Sequence, residues 1–465
     1  MNRFFALFLL TSLAIGAGHE PFRAEPYLQM GDNPSRPNEL TLLWQTDDQG
    51  ADWSVDVKSA GSSKWKPMEK PAFQRVAIRG IAPHRVYRVT LVKLKPGEEF
   101  DYRVSMAGAD LFSAHARARK SKGQDYRFVV FGDCAQNTLP QRRVAYQTYL
   151  AKPDFVFIPG DIVYSRGQAS EYMLKYFPIY NSAKASPELG APLLRSTLFI
   201  AAPGNHDIAA PNLAAFPDTL AYFYYWSQPL NGPLKTIGAP STPILIGGDP
   251  DKNAFLSAAG GRYPAMANFS FDYGNAHWTV LDSNRNVDWT DPALRQWLEN
   301  DLKSAQSAQW RFVAFHHPGF NSSVSHFKDQ WMRGLSEVFE RYKVSVVFSG
   351  HVHNYQRSFP LAFAAKSDSF NKVTGELPGS WILDKAYDGA QHTKPKGVVY
   401  LVTGAGGAGL YNPEQQVLPK GWQEFTSKFV STTNSFTVVD VKGKRLTIKQ
   451  ISANGDELDS FVITQ

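Results

Sequence analysis

Five apolar runs in this sequence each stop at side chains able to bind a metal ion. Residues 126–131 (YRFVVF) lead into Gly132-Asp133. Residues 155–159 (FVFIP) lead into Gly160-Asp161, with Tyr164 close behind. Residues 198–203 lead into Gly204-Asn205-His206-Asp207, and residues 311–315 into His316-His317. The last run, 344–349, leads into Gly350-His351-Val352-His353. Five of the eleven histidines lie at the ends of these runs, and a sixth, His326, follows ten residues after His316. Taken singly, a strand-end Asp is ordinarily a cap or turn residue and a buried His a satisfied core group. Five strand ends delivering Asp, Asp and Tyr, Asn and His, His, and His and His to one rim would instead build a site for more than one metal ion, because open α/β sheets bind ligands beyond the carboxyl ends of their strands.

The elements required to hold such a rim are legible from residue 126 onward, where strand-like apolar runs alternate with helix-length segments, the pattern of a layered α/β domain. Helices are predicted over 141–150 and over 293–305 (ALRQWLENDLKSA), the latter opening after Asp291-Pro292. Before this region, residues 25–117 read as all-β, with strands predicted at 40–45, 53–57, 85–94 and 99–104 separated by turns such as Pro96-Gly97. Residues 114–124 (AHARARKSKGQ) lack apolar periodicity and read as a linker with a solvated basic run. The Pro- and Gly-rich stretch 208–268 reads as a long loop insertion. Its aromatic run at 222–226 is either buried packing or a pocket wall. GAGGAG (404–409) superficially suggests a dinucleotide loop, but LYNPEQQ after it opens no helix.

The chain has 465 residues, 43% hydrophobic and 20% charged, which excludes wholesale disorder and allows two or three domains. A single cysteine, Cys134, excludes an intrachain disulfide and any CxxC-type metal site. The formal charge of +7 is a mild excess that suits anionic ligands but is too weak to argue for nucleic acid. Arg3 followed by the short apolar run 4–14 and the small residues 16–18 reads as a cleaved signal peptide, residues 1–17, too short to span a bilayer. The expected location is periplasmic or secreted, with no stable membrane insertion after cleavage. Export without disulfides fits a bacterial protein.

GDIVY (160–164), GNHD (204–207), VAFH (313–316) and GHVHNYQR (350–357) resemble the signature blocks of purple acid phosphatases within the calcineurin-like metallophosphoesterase superfamily, with GDCAQ (132–136) a looser match. The resemblance extends to the front of the chain, where PYLQM and LTLLWQT are similar to that family's fibronectin type III-like domain. It implies an α/β catalytic domain of layered β-sheets flanked by helices, residues 125–465, preceded by an all-β fibronectin type III-like sandwich, residues 23–119. It also implies a ligand set. Asp161 would bridge two metal ions; one, Fe(III), would also take Asp133, Tyr164 and His353. The other, a divalent Fe, Zn or Mn ion, would take Asn205, His316 and His351. Two carboxylates and a phenolate form a hard set suited to a trivalent ion, whereas imidazoles and an amide suit divalent ions. Many relatives carry a ligating His two residues after the first Asp. Here that position is Ala135, which cannot bind metal; the resemblance implies that Tyr164 can replace the missing ligand, and the Ala135/Tyr164 combination favours the purple subgroup.

The implied activity is that of a phosphoric ester hydrolase, an acid phosphatase acting on small-molecule phosphomonoesters through a metal-bound hydroxide, with no nucleic-acid partner. His206 and His326 match the family's outer-sphere histidines, which contact phosphate and protonate the leaving group. His317 has no family role and reads as pocket lining or structure. Asp207 and Gln356 stand where the family usually has Glu. Two rivals stay open: a phosphodiesterase or phospholipase on the same scaffold, and a metal-free binding protein that keeps the fold.

Overall fold

The computed structural model describes residues 21–208, 210–233, 243–367 and 370–465. The signal peptide expected at 1–17 lies outside the described residues. The front of the chain folds into two four-stranded antiparallel sheets. One is ordered Ala24–Gln29, Leu40–Asp47, His84–Leu91, Ala72–Val76; the other Lys66–Pro67, Trp53–Ser59, Glu99–Met106, Ala109–Arg117. Alternation along the strands turns Leu42, Trp44, Val55, Tyr87, Tyr102 and Val104 inward. The Trp44 and Tyr87 rings stack at 5.3 Å across the core. The expected all-β front region is what forms. The linker expected over 114–124 is shorter, because residues 114–117 belong to the strand Ala109–Arg117. Small residues hide this strand's pattern, and cross-strand charge pairs hold it: Arg117 to Glu99 at 2.7 Å and His115 to Asp101 at 2.9 Å.

From Tyr126 onward two larger sheets face each other. The first runs Leu198–Ala202, Phe155–Pro159, Tyr126–Val130, Ser435–Lys442, Arg445–Ser452, Glu457–Thr464, with its first three strands parallel. The second contains the parallel strands Ala276–Val280, Trp310–Ala314, Val346–Ser349 and Val399–Thr403. Both faces of these strands are buried, which is why the sequence shows continuous apolar runs. Alternate residues serve different layers. Phe128 points between the sheets, its ring 5.1 Å from Trp278 and 5.6 Å from Phe312, whereas Val129 packs outward beside Val144 and Ala145 of the helix Leu139–Ala151. On the far side Leu294, Leu298 and Leu302 of the helix Pro292–Ser304, capped by Asp291, cover Val313 and Val347.

The stretch expected to be a loop insertion, 208–268, instead includes the helix Asp249–Ala259, with Pro250 in its first turn and Gly260 after its end; residues 209 and 234–242 lie outside the described residues. The aromatic run 222–226 is buried packing. The Tyr225 hydroxyl meets His84 of the front sandwich at 3.0 Å, and Trp226 Nε1 donates to the Tyr172 hydroxyl at 3.1 Å. Among the described residues no helix is long and apolar enough to cross a membrane.

His277 ties the second sheet to its covering helix. Its ring lies 2.7 Å from Asp272 Oδ1 and 3.1 Å from Asp301 Oδ2, the latter on the helix Pro292–Ser304. Burial alone would depress this imidazole, but hydrogen bonds to Asp272 and Asp301 lift it from 6.5 to about 9. A raised histidine adds stability that is complete below pH 6.5 and fades as pH climbs towards 9. Wild type should therefore lose on the order of 2 kcal/mol across that window relative to His277→Gln, allowing for screening at the exposed Asp272. Denaturant midpoints at both pH values check this, and parallel pH dependences would contradict it.

Candidate metal centre

The two sheets meet at the carboxyl ends of their parallel strands. Three strand ends of the first sheet bring Asp133, Asp161 and Asn205; two of the second bring His316 and the His351/His353 pair. Close approach there is possible only without side chains. A Cβ on Gly350 would lie 2.6 Å from Asp133 Oδ2, and one on Gly204 would collide with Asp161 Oδ1. Asp133 (φ 58°), Asp161 (φ 51°), His326 (φ 62°) and His351 (φ 66°) all sit in the left-handed region. Each costs roughly 1–3 kcal/mol, and such residues gather where function demands a particular orientation.

All seven expected ligands come together, in two clusters that share Asp161. In the first, the Tyr164 hydroxyl lies 3.2 Å from Asp133 Oδ1 and 3.0 Å from His353 Nε2, and those two atoms are 3.4 Å apart. Asp133, Asp161 and His353 offer ligand atoms within 4.8 Å of one another. In the second, His316 Nε2 lies 3.2 Å from Asp161 Oδ1, 3.1 Å from Asn205 Oδ1 and 3.3 Å from His351 Nδ1.

Proton accounting shows what these clusters fit. His316 Nδ1 faces the Pro159 carbonyl at 2.9 Å, His353 Nδ1 the Gly409 carbonyl at 2.6 Å, and His351 Nε2 the Asp329 carboxylate at 3.2 Å. Each outer nitrogen must donate to its oxygen, so in the neutral ring each inner nitrogen presents a lone pair. His316 Nε2, His351 Nδ1, Asp161 Oδ1 and Asn205 Oδ1 then converge, an arrangement that a cation relieves. Without one, a proton must serve: burial would depress His316, but the charge of Asp161 lifts it to about 9. Burial and the charges of Asp133 and Asp161 push the Tyr164 phenol well above 10, so a strongly charged cation is needed to make it a phenolate ligand.

The two expected outer histidines flank the clusters from opposite sides. His206 donates its backbone N–H to Asp161 Oδ1 at 2.9 Å; its ring rests on Tyr164, with Nδ1 2.7 Å from the Ser165 carbonyl. The His326 ring centroid is 4.0 Å from that of His351, and its Nδ1 is 3.0 Å from Asp329 Oδ2. Both rings are part-exposed, and His206 Nε2 lies 3.9 Å from Asp161 Oδ2. His317 is buried under the site. Ser283 Oγ accepts the backbone N–H groups of His316 and His317 and bonds His317 Nδ1 at 2.9 Å, so the residue organises the loop.

Sequence reasoning missed Tyr411 and Asp329 and did not foresee what Asp207, Gln356 and the GAGGAG loop support. The carboxylate of Asp207 accepts N–H groups from Gly204 and Ile162, tying the Asn205 turn to the Asp161 turn. Burial and the nearby Asp161 charge raise it to about 8. The Tyr411 ring stacks on His353 at 4.0 Å. The GAGGAG loop lets backbone pass close to Asp133, since a Cβ on Gly404 would lie 2.7 Å from Asp133 Oδ2. Cys134 is buried with its thiol on the Ile162 carbonyl. Gln356 holds Ser322 N in the loop that carries His326.

The family model for calcineurin-like phosphoesterases matches residues 126–355, the segment that bears every one of these ligands. Acid phosphatase type 7 of Homo sapiens is 23% identical over 97% of this chain and 93% of its own length. Residues 126–355 of this chain are a calcineurin-like phosphoesterase domain, and the chain as a whole is purple acid phosphatase-like. Another relative, from Arabidopsis thaliana, is named probable inactive purple acid phosphatase 1; it is 24% identical over 92% of this chain and 67% of its own length. Among solved structures, a purple acid phosphatase from yellow lupin (Lupinus luteus) seeds shares the fold with a TM-score of 0.62 at 17% identity, covering 94% of this chain and 74% of that one. The metallophosphoesterase fold implies a dimetal centre, and among the described residues three groups have the spacing to hold a metal ion: Asp133, Asp161 and His353; His316, His317 and His351; and His326, Asp329 and His351.

Because one carboxylate belongs to both clusters, Asp161→Ala should reduce tightly held metal from about two ions per chain to fewer than one. Elemental analysis after loading and desalting measures this. Two ions retained by the variant would refute the shared role.

Proposed function

We propose that this chain is a binuclear-metal phosphoric ester hydrolase, an acid phosphatase acting on small phosphomonoesters. The observation that carries the reading is the convergence of side chains able to ligate metal in two clusters about Asp161. Asp133, Asp161, Tyr164 and His353 would hold Fe(III). Asp161, Asn205, His316 and His351 would hold a divalent Fe, Zn or Mn ion. When bound, the two cations would acidify water and neutralise charge on the phosphoryl group. His206 Nε2 contacts a phosphoryl oxygen from the Tyr164 side. His326 Nε2 gives its proton to the departing oxygen from the His351 side. We extend the reading to an exported protein with a front domain at 23–119 and a catalytic domain at 125–465.

The metal-free binding protein has one specific support, the relative whose name calls it probable inactive. Against it stands the gathering of all seven ligand positions here. A panel of p-nitrophenyl phosphate, its bis-ester and an alkyl phosphate tests the proposal. Hydrolysis of both monoesters ahead of the diester supports it, diester preference favours the phosphodiesterase, and no turnover by metal-loaded protein overturns it.

Two substitutions probe the assigned roles. His326→Ala should slow an alkyl phosphate by about 10²-fold or more and p-nitrophenyl phosphate far less, because nitrophenolate leaves without a proton. Equal losses would remove the acid role. Tyr164→Phe keeps the buried ring and removes only its oxygen, so an iron-loaded variant should lose the visible phenolate-to-iron absorption while retaining iron. Oxidised, iron-loaded wild type without such a band would contradict tyrosinate ligation.

A further inference from the structure

One carboxylate oxygen serves two histidines with different tasks. Asp329 Oδ2 lies 3.0 Å from His326 Nδ1 and 3.2 Å from His351 Nε2. The other oxygen, Oδ1, accepts from Arg285 Nη2 at 3.1 Å, and the Arg285 guanidinium rests over the Trp331 ring at 4.8 Å. Asp329 is therefore fixed from three directions, with its side chain only 15% exposed. His326, three residues earlier, is turned back towards it by a left-handed backbone (φ 62°). We infer that Asp329 is a positioning residue that sets both rings through one oxygen, coupling the second metal position to the proton donor.

The argument follows the hydrogens. A carboxylate oxygen only accepts, so both ring nitrogens facing it must donate. For His351 this leaves the Nδ1 lone pair aimed into the second cluster, 3.3 Å from His316 Nε2. For His326 it commits Nδ1 to Asp329 and leaves Nε2 as the nitrogen that faces substrate. The rings are 4.0 Å apart and share one acceptor, so displacing Asp329 disturbs both. A cation that fixes His351 would, through the same oxygen, fix His326. The inference about His326 rests on the proposed hydrolase reading; the inference about His351 rests on the metal position alone.

The test uses the full chain and Asp329→Asn, which keeps the volume but cannot accept from both rings and from Arg285 together. Divalent-ion titration, with Zn²⁺ or Mn²⁺ as the probe, should show second-site affinity lowered about 10- to 100-fold. At saturating metal, the variant should still lose more rate on an alkyl phosphate than on p-nitrophenyl phosphate. Combining it with His326→Ala should add little to that substrate ratio, because both changes remove the same proton delivery. Arg285→Ala, which frees only Oδ1, should shift both readouts in the same direction by a smaller factor, and it guards against misfolding of the first variant. Nitrogen-15 NMR of wild-type His326 should report a protonated Nδ1. Unchanged metal affinity in Asp329→Asn, or equal loss on both substrates, would overturn the inference. If wild type hydrolyses no ester, the hydrolase reading fails by itself, and metal affinity with the His326 spectrum still decides the role of Asp329.

Discussion

A single carboxylate shared between two clusters of lone pairs is the constraint on which the rest of this structure depends. Asp161 must lie between Asp133, Tyr164 and His353 on one side and Asn205, His316 and His351 on the other. Burial alone would push it towards protonation, but the charge and hydrogen bond of His316 hold it below the usual carboxylate range. Its backbone is left-handed, Gly204 leaves it room, and Asp207 bridges its turn to the next. None of these features improves packing. Together they are intelligible as the cost of presenting two clusters of metal-ligating groups around one carboxylate, which a cation would stabilise.

The two-sheet architecture supplies the rigidity for this strain. Aromatic rings between the sheets, Phe128, Trp278, Phe312 and Phe348, fix how far apart the strand ends emerge. Only then do His316 and His351 of one sheet reach Asp161 of the other. The front sandwich contributes no ligand. It braces the first sheet from below through Tyr102, whose hydroxyl donates to the Arg195 carbonyl, and through the Tyr225 to His84 contact.

The candidate ligands were legible in the sequence because strand ends are local: an apolar run closing on Gly-Asp, Gly-Asn or His announces itself. Which sheet each strand joined was not, since every run is buried on both faces and periodicity cannot separate them. The helix Asp249–Ala259 hid among prolines and glycines that turned out to be its start and stop signals. Residues 114–117 hid because alternating Ala with His and Arg carries almost no apolar signal. Asp329 and Asp207 each join a neighbour three residues away to a partner brought close by topology: His351, 22 residues from Asp329, and Ile162, 45 residues from Asp207. No local pattern records the distant half of such pairings. The GAGGAG run carried a visible signal, close backbone approach, but what approaches is Asp133 and not a dinucleotide.

The most direct test of the account is the metal stoichiometry of the intact chain. After metal is removed and the protein is loaded with iron and a divalent ion, then desalted, elemental analysis should find two ions per chain, with X-ray absorption placing them roughly 3.5–4 Å apart. One ion per chain, or none, in folded protein would contradict the claim that Asp161 joins two metal positions.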